Sequence, residues 1–278
     1  MQKRIGLPHE YIAECIGTFI LVFFGIGSVH VAVLTGGYSG LWQVAIIWGI
    51  GIALAIYATA AVCGAHLNPA VTVAFAAYRR FPLIKIAPYI LSQLVGAVAA
   101  AAVLYFLFGN VIANFETAHG ILRGQAGSEL SAMIYGEYFP NPAMFGVTAK
   151  ASSLISPLQA ILAEAIGTAF LAFFIFAVTD EYNSKRPNGT SFALFIGLAV
   201  SIIICIIAPL TQAGLNPARD FGPRLFAYFT GWKAIAIPGP RGGFFSVYIL
   251  APILGALVGA TIYQHLICKT RVEHLTDN

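Results

Sequence analysis

The sequence predicts an all-α membrane protein with six transmembrane helices plus two re-entrant half-helices, arranged as an inverted repeat. Three observations lead there. The 278 residues are 59% hydrophobic and 9% charged, with a mean hydropathy of +0.82, whereas a soluble domain carries about 25% charged residues. Six apolar runs, roughly 11–33, 43–63, 84–108, 157–178, 191–210 and 246–267, reach or approach the ~20 residues that cross a ~30 Å hydrocarbon core. An Asn-Pro-Ala triplet at Asn68 returns at Asn216, and each copy stands between two apolar runs.

The first run carries Ala-Glu-Cys-Ile-Gly-Thr around Glu14, and the fourth carries Ala-Glu-Ala-Ile-Gly-Thr around Glu164. Because it has this internal counterpart, the first run reads as part of the fold and not as a cleaved leader. The second run leads into Gly-Ala-His-Leu-Asn-Pro-Ala-Val at 64–71, and the fifth into Ala-Gly-Leu-Asn-Pro-Ala-Arg-Asp at 213–220. The third run opens with Tyr89-Ile90-Leu91 and the sixth with Tyr248-Ile249-Leu250. Landmarks repeated in the same order imply a duplication with three spans per half. An odd number of spans turns the second half upside down in the membrane. The chain is expected to be a single channel domain over 1–278. Its repeats, about 8–108 and 157–268, are joined by a long polar connection, 109–156. A third Asn-Pro-Ala, at Asn141-Pro142-Ala143, lies in that connection and reads as a structural turn.

Asn is a favoured helix N-cap and Pro a favoured first helical residue. Pro69 and Pro217 should therefore open helices running to about Arg79 and Tyr228. Eleven residues give about 16 Å, roughly half the hydrocarbon core. Two such helices entering from opposite faces would meet near the centre, with Asn68 and Asn216 at the pore midplane. The residues before them are then non-helical backbone at membrane depth, which is tolerated where it lines a water-filled cavity. The carbonyls of Gly64, Ala65 and His66, and of Gln212, Ala213 and Gly214, are expected to form a ladder of acceptors. Each helix N-terminus carries about half a positive charge, which opposes cations at the midplane.

Lys3, Arg4, Arg79, Arg80, Lys85, Lys185, Arg186, Lys269 and Arg271 fall on one side of the predicted topology. By the positive-inside rule that side, with both termini, is cytoplasmic, in a multi-pass protein of the cell membrane. The net charge of +4 is scattered and does not suggest nucleic acid. The four cysteines lack metal-ligand spacing and read as apolar packing residues. The sequence contains no Walker loop, metal cluster or nucleophile–base pair, so no enzyme activity, metal or cofactor is expected.

The paired motifs resemble the major intrinsic protein family, over about residues 8–268. Asp220 after Arg219, the Asp-Phe-Gly-Pro-Arg run at 220–224, Pro252-Ile253 and Tyr138-Phe139-Pro140-Asn141-Pro142 are similar to its aquaglyceroporin, or glycerol facilitator, branch. The resemblance implies the aquaporin fold, a homotetramer with one pore per subunit, and a four-residue selectivity filter at Trp48, Ile204, Ala213 and Arg219. Bacterial glycerol facilitators carry Gly and Phe at the second and third of these positions. The set found here is similar to that of plant nodulin-26-like channels.

A buried arginine at membrane depth is costly and by default functional. Arg219 is expected to offer donors to a solute oxygen, with pairing to Asp220 as the structural alternative. Glu14 and Glu164 are expected to support the non-helical backbone by accepting its amides, and Gln93 to assist at the first turn. The expected function is passive diffusion of glycerol and other small uncharged solutes, with some water, excluding ions and protons. A broader channel for undissociated lactic acid, urea, ammonia or metalloid hydroxides is an alternative. An ion-coupled secondary transporter using the two carboxylates is another.

Overall fold

The computed structural model describes residues 7–79, 81–189 and 191–268, and every regular element among them is helical. The basic residues Lys3, Arg4, Arg80, Lys269 and Arg271 lie outside the described residues. α1 spans Leu7–Thr35, α2 Leu41–Cys63, the short α3 Pro69–Tyr78 and α4 Ile86–Ala118. After a long connection come α5 Pro157–Thr179, α6 Phe192–Thr211, the short α7 Pro217–Ala227 and α8 Ser246–Cys268. Six helices are long and apolar enough to cross a membrane. The outward faces carry large apolar side chains such as Ile16, Leu54, Leu91, Phe106, Ile166 and Ile202. Such a surface suits hydrocarbon and not water, and the chain is an integral membrane protein.

The packing is paired. α1 lies against α2 and α4, α5 lies against α6 and α8, and α2 and α6 form the seam between the halves. The half-helices are exchanged: α3 packs on α8 and α7 packs on α4. Each is thus clamped by the last span of the other half. Small residues allow the close crossings, as is usual between helices in lipid. Gly49 and Gly197 meet at the α2–α6 seam, where a Cβ on either would collide with the other's carbonyl. Gly96 abuts the Cys15 carbonyl and Gly255 the Ala165 carbonyl, which repeats one contact in both halves.

Two expectations about the connection need correction. α4 does not end near 108 but continues to Ala118, despite Gly109 and Asn110, which disfavour helix. Tertiary contacts outweigh that propensity: Ile112 is fully buried, and Glu116 accepts from Arg123 Nη2 at 2.7 Å and from Ser131 Oγ at 2.8 Å. Arg123 also lies 4.0 Å over the Trp232 ring. Nor is the connection simply polar surface. Met133, Ile134, Tyr135, Tyr138 and Phe139 are buried, so this stretch is inserted among the helices. Asn141 caps the single turn Pro142–Phe145, and its Nδ2 donates to the Ala208 carbonyl at 3.0 Å, which ties the insert to α6.

Candidate conduction pathway

Both half-helices begin in the same way. Asn68 Oδ1 accepts from Ala70 N at 2.8 Å, and Asn216 Oδ1 accepts from Ala218 N at 3.0 Å. The following prolines need no donor there. Each Asn also reaches across to the other half. Asn68 Nδ2 donates to the Leu215 carbonyl at 2.9 Å, and Asn216 Nδ2 to the Leu67 carbonyl at 2.7 Å. The two N-termini therefore meet. An amide carries two donor hydrogens, so each Asn keeps one for a molecule in the cavity beside it.

The backbone before each Asn is left-handed at three of four consecutive positions. Gly64, Ala65 and Leu67 have φ of 82°, 50° and 53°, and Gln212, Ala213 and Leu215 have 64°, 59° and 56°. Non-glycine residues in this region cost roughly 1–2 kcal/mol each, so other contacts must hold them. The two buried carboxylates do so. Glu14 accepts from His66 N at 2.7 Å and Leu67 N at 2.8 Å. Glu164 accepts from Gly214 N and Leu215 N, both at 2.8 Å, and from Thr211 Oγ1 at 2.6 Å. Gln93 Nε2 bridges Glu14 at 2.9 Å and Thr72 Oγ1 at 3.1 Å. Leu67 and Leu215 sit on Gly17 and Gly167, whose missing side chains make room for them.

Among the described residues, none of the carbonyls of Gly64, Ala65, His66, Gln212, Ala213 and Gly214 accepts a hydrogen bond. Five of these residues line a central cavity of about 90 Å³, together with Asn68, Asn216, Trp48, Ile204 and Arg219. Gln212 borders instead an outer cavity of about 300 Å³ on the side of the 119–156 connection. Leu21, Ile52, Ile56, Ile175 and Val200 supply an apolar wall to the central cavity. On the opposite side a third cavity, of about 460 Å³, is bounded by His66, Phe75, Arg79, Phe81 and Asp180. Neighbouring cavities share walls: Trp48, Ile204 and Arg219 at one junction, His66, Phe75 and Thr179 at the other. The three cavities thus adjoin through shared walls and make up the candidate path. The His66 ring stacks on Phe75 at 4.8 Å and its Nδ1 lies 3.2 Å from Thr72 Oγ1.

Of the four residues expected at the filter, Trp48, Ile204 and Arg219 stand at this junction, and Ala213 lines the central cavity. The Arg219 guanidinium lies 4.4 Å from the centre of the Trp48 ring. Trp48, Ile204, Ala213 and Arg219 are each 5% exposed, and all four line the central cavity. A Cβ on Gly25 would collide with the Trp48 ring, so this glycine makes the slot that holds it.

The arginine's ion pair is not the one named as the structural alternative. Arg219 does not pair with Asp220, which takes Arg224 Nε at 2.7 Å. It pairs with Glu137, from the buried insert. One turn of helix separates Asp220 from Arg224 and places their side chains on one face, whereas adjacent residues point apart. Burial pushes the Glu137 carboxyl above the ordinary carboxylate range, and the Arg219 guanidinium opposes that shift. Glu137 N donates to Asp220 Oδ1 at 2.7 Å, and the Glu137 carbonyl accepts from Arg224 Nη2. Tyr138 N donates to Gln212 Oε1 at 2.9 Å, and Gln212 Nε2 donates to the Met133 carbonyl at 3.2 Å. Glu137 had one signal in the sequence, a lone acid within Tyr-Gly-Glu-Tyr-Phe. Reading the connection as polar surface obscured it.

The major intrinsic protein family model matches residues 1–263. The chain is 42% identical over 265 residues to the propanediol uptake facilitator of Citrobacter freundii, covering 95% of this chain and 94% of that protein. It is 43% identical over 263 residues to the glycerol uptake facilitator protein of Haemophilus influenzae, covering 94% and 95%. The X-ray structure of the aquaglyceroporin from Plasmodium falciparum superposes with a TM-score of 0.80 at 26% identity, covering 95% of this chain and 98% of that one. Paired N-capping asparagines, an open carbonyl wall and a row of adjoining cavities thus coincide with sequence identity along nearly the whole chain, and the protein belongs to the major intrinsic protein family, in its aquaglyceroporin branch.

Proposed function

We propose that the path is a passive channel for glycerol and other small uncharged solutes, with some water, and that it excludes ions and protons. The observation that carries this reading is the two-faced junction. Trp48, Ile204 and Ala213 offer an apolar side to the carbon chain of a polyol. Arg219 and the open carbonyls of Gln212, Ala213 and Gly214 offer donors and acceptors to its hydroxyls. Relatives named for glycerol and propanediol uptake agree with it. The protein is a channel and not an enzyme. Ion exclusion follows from the two helix N-termini, each equivalent to about half a positive charge at the midplane, with Asn68 and Asn216 orienting the molecule that passes.

Glu14 and Glu164 argue against ion coupling. Both are committed to backbone amides, so losing that charge would release the re-entrant turns. Small Ala213, where a bulky ring would narrow the passage, favours breadth toward solutes such as urea, undissociated lactic acid or metalloid hydroxides. The filter set is of the kind found in nodulin-26-like channels.

The exchanged half-helices and the matched carboxylates support one channel domain built of inverted repeats, about 8–108 and 157–268. We read it as a homotetramer in the lipid bilayer of the cell membrane, with both termini cytoplasmic. Stopped-flow swelling of proteoliposomes with glycerol, urea, lactic acid at low pH and water tests the function. Glycerol flux above protein-free vesicles, unchanged by a protonophore, is expected. Flux that collapses with the proton gradient would mean a coupled transporter.

A further inference from the structure

Asn68 and Asn216 supply the polar side chains of the midplane, yet asparagine is among the thermolabile residues. Its weakness is intramolecular: the backbone nitrogen of the next residue can attack the side-chain amide carbon and expel ammonia. The attack needs a following N–H that is free, a side chain that can turn, and room around the attacking nitrogen. Apart from Asn188, the asparagines among the described residues each lack one of these. Asn68, Asn141 and Asn216 precede proline, which has no N–H to lose. Asn110 and Asn114 lie inside α4, where the next N–H is committed to the helix. The Asn183 side chain is held at both ends: Nδ2 donates to the Ala177 carbonyl at 3.0 Å, and Oδ1 accepts from Lys185 N at 3.2 Å.

Asn188 has none of these protections. It opens the single Asn-Gly pair of the chain, in the exposed, non-helical connection between α5 and α6. Among the described residues nothing bonds its side-chain amide or the Gly189 N–H. A Cβ built on Gly189 meets nothing within 4 Å, and glycine leaves its own nitrogen uncrowded and its backbone free to turn. Only the Asn188 carbonyl is engaged, accepting from Ser191 N at 2.8 Å and Ser191 Oγ at 3.0 Å. Ser191 is the N-cap of α6, which carries Ile196, Val200 and Ile204 into the wall of the central cavity.

We propose that Asn188 is a self-modifying site that converts to aspartate and isoaspartate, and that the converted chain is a substrate for a protein isoaspartyl carboxyl methyltransferase. Gly189 N gives its proton to hydroxide and bonds to Asn188 Cγ. The Cγ–Nδ2 bond breaks, and the departing nitrogen takes a proton from water and leaves as ammonia. Water then opens the cyclic imide. Attack at Cγ gives aspartate. Attack at the former main-chain carbonyl gives isoaspartate, in which the chain runs through the side-chain carbon. The oxygen that held Ser191 then belongs to a free carboxylate, so the start of α6 loses a main-chain tether. Either product adds a negative charge to the connection that exposes Lys185 and Arg186. The pore asparagines keep their amides, because the proline that starts each half-helix also removes the attacking N–H.

The test incubates the full-length protein in proteoliposomes at mildly alkaline pH and follows it by peptide mass spectrometry. The mass gain of an amide turned to an acid is expected at Asn188, with none above the starting level at Asn110, Asn114 and Asn183. Methyl transfer from labelled S-adenosylmethionine by a purified isoaspartyl methyltransferase should grow in step. Gly189→Ala, for which the structure leaves open space, should slow the conversion, because the added Cβ crowds the attacking nitrogen. Conversion of that variant at the wild-type rate, or aspartate formed without isoaspartate, would mean plain hydrolysis and overturns the cyclic route. An Asn188 that keeps its amide throughout overturns the proposal outright. None of these readouts depends on solute flux, so the outcome is separate from that of the channel reading.

Discussion

Tyr89 and Tyr248 stand at matching places on α4 and α8, and their hydroxyls donate to matching carbonyls: Cys63 at 2.9 Å and Thr211 at 3.1 Å. Each carbonyl ends the helix that feeds a re-entrant turn. The tyrosines therefore anchor the point where regular backbone gives way to the left-handed stretch.

Replacing either tyrosine with Phe leaves a buried carbonyl without its donor. The cost should be ~1 kcal/mol in each case, and the two variants should lose thermal stability in detergent by similar amounts. A clear loss for Tyr248→Phe with none for Tyr89→Phe would mean that the bond from the Tyr89 hydroxyl to the Cys63 carbonyl does not anchor the first turn.

Glu14→Gln and Glu164→Gln should be more damaging. A carboxylate accepts through both oxygens, whereas an amide turns an N–H₂ toward one of the backbone N–H groups. Hydrogen bonds to charged groups are worth about 1.5–3 kcal/mol each, so either variant should lower both melting temperature and glycerol flux. Retained stability with lost flux would instead point to a transport role for the carboxylate.

Ala213→Phe should place a ring across the junction. Passage of solutes larger than glycerol should fall more than passage of water, as read by stopped-flow swelling with a size series of polyols. An equal reduction of all fluxes would remove Ala213 from the filter.

Arg219→Val strands the Glu137 carboxyl without its counter-charge. Breaking one partner of a buried pair costs about 3–5 kcal/mol. The variant should therefore be unstable, and liposomes that retain it should leak cations. Arg219→Val combined with Glu137→Leu should recover stability, because two charges are then replaced by apolar volume. If the double variant melts no higher than the single one, the two side chains are not energetically coupled.

Much of this protein can be read along its chain because lipid leaves few options. Only segments that satisfy their own backbone survive in hydrocarbon, so run length marks the six spans, and Asn-Pro marks where α3 and α7 begin. The match of Glu14 with Glu164 is visible because duplication keeps equivalent residues in register. The tertiary structure decided what lies between residues distant in sequence. Glu137 meets Arg219 across 82 positions, Asp220 turns to Arg224 instead of its neighbour, and α4 runs on to Ala118 because Arg123 and Ser131 hold Glu116. No periodicity announces such contacts. They form because a buried charge or amide must find a partner, and which partner is near depends on how the whole chain has packed.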